Sequence, residues 1–165
     1  MESEAERAIV DAFSAGMWAK RLLLEEQQLT ARQVTAVMSS LAQDIRKLCD
    51  VLVPMYLVPF VSRRAHESAT ALGIDLGATG WHQQPNFDKG RAIFHLDDVT
   101  TVQDIRSQFL AAPHRSTGMQ VLGEQLAVAW ILKTENAVLD ERGLRNHRAD
   151  GRAAYAECGI ELIAR

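Results

Sequence analysis

The strongest constraint in the chain is one apolar stripe. Val34, Val37, Met38, Leu41, Ile45, Leu48 and Leu52 recur at three- and four-residue intervals. On a helix they share one face, and that face demands a covering surface. The start of the helix is marked as well. Thr30 and Gln33 have the spacing of a capping box, in which each side chain satisfies a free backbone N–H, and Leu29 with Val34 fits the accompanying apolar contact. Pro54 ends the helix, because proline has no N–H and clashes with the preceding turn. Upstream, Ser3 and Glu6 repeat the capping box, and Ile9, Phe13 and Met17 recur at helical spacing. This predicts a first helix to about Gln28, folded back on the second as an antiparallel hairpin with a very short turn.

Pro59 suits the first turn of a third helix carrying Phe60, Val61, Ala65, Ala69 and Leu72, with Gly73 as its stop. Residues 73–91 show no period and contain Gly77, Gly80, Pro85 and Asn86, so an irregular loop is predicted there. Ala92–Leu96 reads as a short strand. Thr100 or Thr101 then caps a helix carrying Val102, Ile105 and Phe109, which ends before Pro113. Thr117 with Gln120 opens another helix. Its centre, Leu126–Leu132, is apolar all round, the pattern of a helix buried on most sides, and Gly143 stops it. Asp150 caps a short last helix, and Ile160–Ile163 reads as a strand. The predicted fold is mainly α: a single domain over residues 1–165, a helical bundle of five or six helices around Leu126–Leu132. A small two-stranded β patch would pair Ile93–Leu96 with Ile160–Ile163.

The formal net charge is −3. A nucleic-acid binder of this composition would need a local basic patch rather than a global field. Arg63-Arg64-His66 and the arginines between Arg142 and Arg152 are such clusters, and equally the mark of solvated helix ends. Cys49 and Cys158 have neither disulfide-framework nor zinc spacing, which predicts free thiols in a reducing, cytoplasmic protein. The acidic start has no apolar signal region. The longest apolar stretch, Leu48–Val61, is broken by Asp50, Pro54 and Pro59, well short of the roughly 20 residues of a membrane span. No membrane association is expected. Familiar nucleotide-binding, zinc-protease and α/β-hydrolase motifs are absent from the sequence.

Side chains able to bind metal or move protons gather between Gly73 and Asp98, the least regular segment. With no complete catalytic set in the chain, the leading expectation is a soluble, non-enzymatic binding or regulatory protein needing no cofactor. It would engage a macromolecular partner, a protein or a second copy of itself, through residues 73–98. Trp81 and His82 are the candidate partner-binding residues, since exposed aromatics dominate interface hot spots.

Two enzymatic alternatives stand beside it. On a strand, His95 and Asp97 share a face. The pair could hold Mg²⁺ or Mn²⁺ in a nuclease or phosphodiesterase, with Asp98, His82 and Asp88 as further ligands, or the carboxylate could orient the imidazole as a base. A strand feeding a helix beside such a pair is similar to the ββα-metal nuclease arrangement, although the helix after Val102 offers only Asp104 and Gln108 rather than a histidine or asparagine. The second alternative uses Arg142 and His147 as catalytic residues. Their four-residue separation is similar to the motif of the HEPN-type RNases, which cut RNA without metal across a dimer. Here Gly143 places the motif at a helix end.

Overall fold

A computed structural model describes residues 4–26 and 28–163. In chain order the elements are α1 (Glu4–Leu24), α2 (Ala31–Leu52), β1 (Phe60–Ser62), α3 (Arg63–Ala71), α4 (Gln84–Phe87), β2 (Phe94–Asp98), α5 (Val102–Ala111), α6 (Arg115–Gln125), β3 (Val128–Leu132), α7 (Lys133–Glu141), α8 (Gly151–Glu157) and β4 (Leu162–Ile163). Helix predominates, as the sequence predicts. The bundle of five or six helices is corrected to eight α-helices, among the described residues, arranged about a four-stranded sheet. No helix is long and apolar enough to cross a membrane among the described residues.

The stripe on α2 does what its spacing predicts. Leu41, Ile45, Leu48 and Leu52 are buried against Met17 of α1, Ile105 and Phe109 of α5, and Leu122 of α6. The Thr30–Gln33 capping box is formed, Thr101 caps α5, and Asp150 caps α8. The Ser3 half of the first capping box lies outside the described residues.

The largest correction is at residues 126–132. The predicted central helix is strand β3, in the middle of a sheet ordered β2-β3-β1-β4. Val128 and Trp130 pack into the cores on one face, while Ala129 and Ile131 pack on the other. A strand buried on both faces is a continuous apolar run, which periodicity cannot tell from a buried helix. The predicted two-stranded patch is corrected for the same reason. Strands exist at β2 and β4, but β3 and β1 lie between them, and β2 and β4 are opposite edges. Pro59 precedes a short strand rather than opening a helix. Helix α3 begins at Ser62, whose hydroxyl accepts from Ala65 N–H. The 73–91 segment is a chain of 3₁₀ turns with the single turn α4, rather than open loop.

The parallel neighbours β1 and β3 share one build. Each runs directly into a nine-residue helix. Each helix ends in a glycine at positive φ, Gly73 and Gly143, followed by an apolar residue whose N–H reaches back five positions, Ile74 to Ala69 and Leu144 to Leu139. Helices α3 and α7 cover opposite faces of the sheet. Their starts are joined by Glu135, a buried carboxylate that accepts from the Ser62 hydroxyl (2.6 Å) and from Leu132 N–H (2.8 Å).

Two glycines give opposite predictions. A Cβ at Gly151 would lie 2.3 Å from the Val99 carbonyl oxygen, whereas one at Gly16, inside α1, meets nothing within 4 Å. In thermal and urea unfolding, Gly151→Ala should lose about 1–3 kcal/mol of stability through overpacking. Gly16→Ala should gain about 0.5–1 kcal/mol by restricting the unfolded chain within a helical position.

Candidate functional site

Strand β2 is an edge strand, and its two faces carry different residues. Phe94 and Leu96 pack with Trp130, while His95 and Asp97 take the α7–α8 side. Ile93 and Val99 make their backbone bonds towards β3 and its flanks. By the alternation of an antiparallel ladder, Phe94, Leu96 and Asp98 therefore turn their N–H and C=O groups outwards. Gln84 and Asp88 close that edge at Phe94, taking its C=O and N–H. Arg148 closes it at the Asp98 carbonyl (2.7 Å). Leu96 is left between them with its N–H and C=O unpaired among the described residues.

A cleft of about 430 Å³ opens at this free edge. One wall is α2, with Arg46, Cys49 and Asp50, continued by Val53 just past its end; another is the Arg145–Arg148 segment with Asn136 of α7. Trp81, His95, Leu96, Asp97, Asp98 and Val128 supply the rest. A second hollow of about 170 Å³ continues from it past Arg46, Asp98 and Arg145 to Thr101, Gln103 and Arg106.

The two aspartates have different fates. One Asp97 oxygen accepts from Arg148 (2.8 Å) and from the Tyr155 hydroxyl (2.5 Å). The Arg148 side chain, 1% exposed, also donates to the carbonyls of Leu144 and Asp98 and to Tyr155. Burial alone would lower the Arg148 pKa, but Asp97 and Tyr155 hold it above the usual arginine value. Asp98, one residue on, accepts no hydrogen bond at its carboxyl from the described residues. Burial, and then repulsion from Asp97, push it up to about 6, against the opposing pull of Arg46 and Arg148. Cys49, on the same wall, is raised well above its usual value by burial and then by Asp98 and Asp50.

The other predicted residues fall as follows. His95 Nε2 lies 3.9 Å from the second Asp97 oxygen, so the two do share a face; burial lowers the imidazole pKa while Asp97 opposes the shift. His82 is exposed, 3.9 Å from Asp50, and does not line the cleft. Asp88 is buried elsewhere, where burial would raise it but the N–H groups of Phe94, Ile93 and Ala92 and the Gln84 amide hold it low. Among the described residues no three His, Cys, Asp or Glu side chains group as a metal ion would need. Arg142 and His147 lie past the end of α7 at Glu141. Arg142 donates to the Glu157 carbonyl, and His147 pairs with Asp104. Burial works against the Asp104 carboxylate, yet Thr101, the Arg148 N–H and His147 hold its pKa below the usual range.

Sequence reading missed Arg46, Arg106, Arg145, Arg148, Tyr155 and Cys49 as parts of this region. Arg148 and Arg145 were visible only as members of a basic cluster. Arg46 lies on the polar side of the α2 stripe and carries no local signal. No protein-family model, curated protein or solved structure matches the chain.

Two variants separate the aspartates. Arg148→Ala strips a buried carboxylate of its partner and should cost about 3–5 kcal/mol in urea unfolding. Asp98 binds a proton more tightly in the folded state, at about 6 against an ordinary 3.8. The folded protein therefore holds the extra proton between those values, and stability falls as pH rises from about 4 to about 6. Asp98→Asn should gain stability at pH 7, on the order of 1–2 kcal/mol, and little at pH 4. Equal gains at both pH values would contradict this.

Proposed function

We propose that the protein is a binding protein that engages a macromolecular partner with the cleft at the free edge of β2. One observation carries this reading. Trp81, His95, Leu96, Asp97 and Asp98, all from the segment predicted to do the binding, line a single hollow together with α2 and the Arg145–Arg148 segment. Its volume falls within the range of about 300–1,000 Å³ of built ligand sites. It combines apolar, aromatic and charged walls, as recognition sites do. The side chain best placed to partner His95 in catalysis, Asp97, is already engaged by Arg148 and Tyr155. The free thiols Cys49 and Cys158 suit a reducing, cytoplasmic setting.

A second reading, phosphodiester hydrolysis in the same cleft, is favoured by the Asp98 carboxyl. At about 6 it is present in both protonation states near neutral pH, as acid–base catalysis requires. Labelled single-stranded RNA, single-stranded DNA and duplex DNA, each with Mg²⁺, Mn²⁺ or EDTA, decide between the two. The binding reading expects no cleavage under any condition. Turnover that disappears in Asp98→Asn would replace it with the hydrolytic one.

A photo-crosslinking amino acid at Asn146, on the cleft wall, tests binding directly in the producing cells. The expected result is a discrete adduct that is lost when Trp81→Ala is added and absent when the probe stands at Glu67 on α3. Protease or nuclease digestion then gives its class. An adduct pattern that is identical from both positions would overturn the reading.

A further inference from the structure

We infer that the ligand of this cleft is a nucleoside phosphate, free or as a unit of a single strand, with its phosphate on Arg46, Arg106 and Arg145 and its base between Trp81 and the Leu96 edge. This rests on the reading above that the cleft is the binding surface; a strand would be its macromolecular partner, whereas a free nucleotide would keep the cleft and replace that partner.

The phosphate end follows from unused donors. A guanidinium has five N–H groups and prefers planar, multidentate acceptors. Arg148 shows the satisfied case, with its donors spent on carbonyls, Asp97 and Tyr155. Its three neighbours are not satisfied. Arg46 makes neither a hydrogen bond nor an ion pair among the described residues. Arg106 gives one bond, from Nη1 to the Met38 carbonyl, and its Nε is buried without a partner. Arg145 makes a loose ion pair with Asp140, at 3.8 Å, and no hydrogen bond among the described residues. All three line the smaller hollow, beside Gln103 and Asn146.

Charge agrees with this. Over the two hollows four arginines face three aspartates, Asp50, Asp97 and Asp98. The cleft is therefore locally positive in a chain of formal net charge −3. Because Asp97 is matched to Arg148, it does not neutralise the unused arginines. A phosphate supplies the acceptor oxygens, three on a monoester and two on a diester, that the unused N–H groups of Arg46, Arg106 and Arg145 lack.

The base end follows from the strand edge. Among the described residues, closure at Phe94 and at the Asp98 carbonyl leaves one full donor–acceptor pair, the N–H and C=O of Leu96, with the Asp98 N–H as a single further donor. An added peptide strand needs a run of such pairs. A nucleobase edge, with a donor and an acceptor side by side, needs one. Cys49, Val53 and Leu96 give this end an apolar surface, and Trp81 gives it a ring. The ring is held by the Arg91 guanidinium stacked 3.4 Å from its centroid. A fixed aromatic face stacks any base, which is how single-strand binders gain sequence-tolerant affinity.

The test is calorimetric titration of the full chain with AMP, CMP, GMP, UMP, the four nucleosides, inorganic phosphate and a ten-nucleotide single-stranded RNA. At least one nucleotide should bind at least tenfold more tightly than its nucleoside and than phosphate. Arg46→Ala and Arg145→Ala should each weaken the nucleotide about tenfold and flatten its salt dependence, leaving the nucleoside unchanged. Trp81→Ala should weaken nucleotide and nucleoside alike by at least fivefold. RNA that binds more tightly than every mononucleotide identifies a strand as the source, and equal affinity identifies the free nucleotide. Thermal unfolding of each variant shows that it remains folded. No binding by the folded wild-type chain, or binding that survives the triple variant Arg46→Ala/Arg145→Ala/Trp81→Ala, overturns the inference. If the Asn146 adduct is then still specific and yields to protease, the cleft binds a protein and only the ligand class has failed.

Discussion

The cleft hangs on the Arg148 guanidinium. From an irregular segment it reaches the end of β2, where it holds Asp97 and the carbonyls of Asp98 and Val99, and it shares Tyr155 with α8. The backbone N–H of Arg148 donates to Asp104 near the start of α5. Three elements and a connecting segment thereby meet at one buried ion pair. A buried pair is weak evidence for stability, since its desolvation opposes its attraction, but removing one partner is severe. The arrangement therefore specifies where the Arg145–Arg148 segment lies more than it strengthens the fold. With that segment fixed, Arg145 and Asn146 stand opposite α2, and the free edge of β2 becomes the floor of a cleft.

The long-range part of this construction had no local signal. The capped helix α2, the caps Thr101 and Asp150 and the chain breaks at Pro54 and Gly143 were legible because each is decided within four or five residues. Strand β3 was not. Its alternate residues face two different cores, so its apolar run carries no period, and only its shortness and its Val, Trp and Ile content spoke for a strand. With 126–132 read as helix, the sheet has no centre. Strands β2 and β4 are then placed side by side, where the structure separates them by β3 and β1.

The site was legible in the same partial way. The segment that holds Trp81, His95, Asp97 and Asp98 was identifiable by chemistry, and the shared face of His95 and Asp97 by strand period; their 3.9 Å separation agrees with it. What each residue does depends on partners far along the chain. Asp97 meets Arg148 fifty-one positions away, and Asp88 is committed to the backbone of the turn it closes. Arg46 and Arg106 gain meaning only when α2 and α5 are packed together, which no spacing rule within either helix announces.

Asp97 and Asp98 are the same residue type on successive strand positions, and their contrast gives the cleft its character. Period two sends one beneath α8 to a ready-made cation and hydroxyl, and sends the other to the opposite face of the sheet, towards Arg46, Cys49 and Asp50 of α2. Asp97 is thus a structural acid, and activity lost in an Asp97 variant would report lost packing before it reported chemistry. Asp98 is held at a cost. Its carboxyl lies half-buried beside another carboxylate with no hydrogen bond from the described residues, and burial and that neighbour push its pKa up to about 6. An amide or apolar side chain there would make a more stable protein at neutral pH. Natural proteins break such local rules mainly where the broken rule is used. The unsatisfied carboxyl and the unsatisfied guanidiniums of Arg46 and Arg106 line the same wall, yet they do not satisfy one another by hydrogen bonds. Groups held apart in this way remain available to a third party, and it is on that availability that the proposed binding role of the cleft rests.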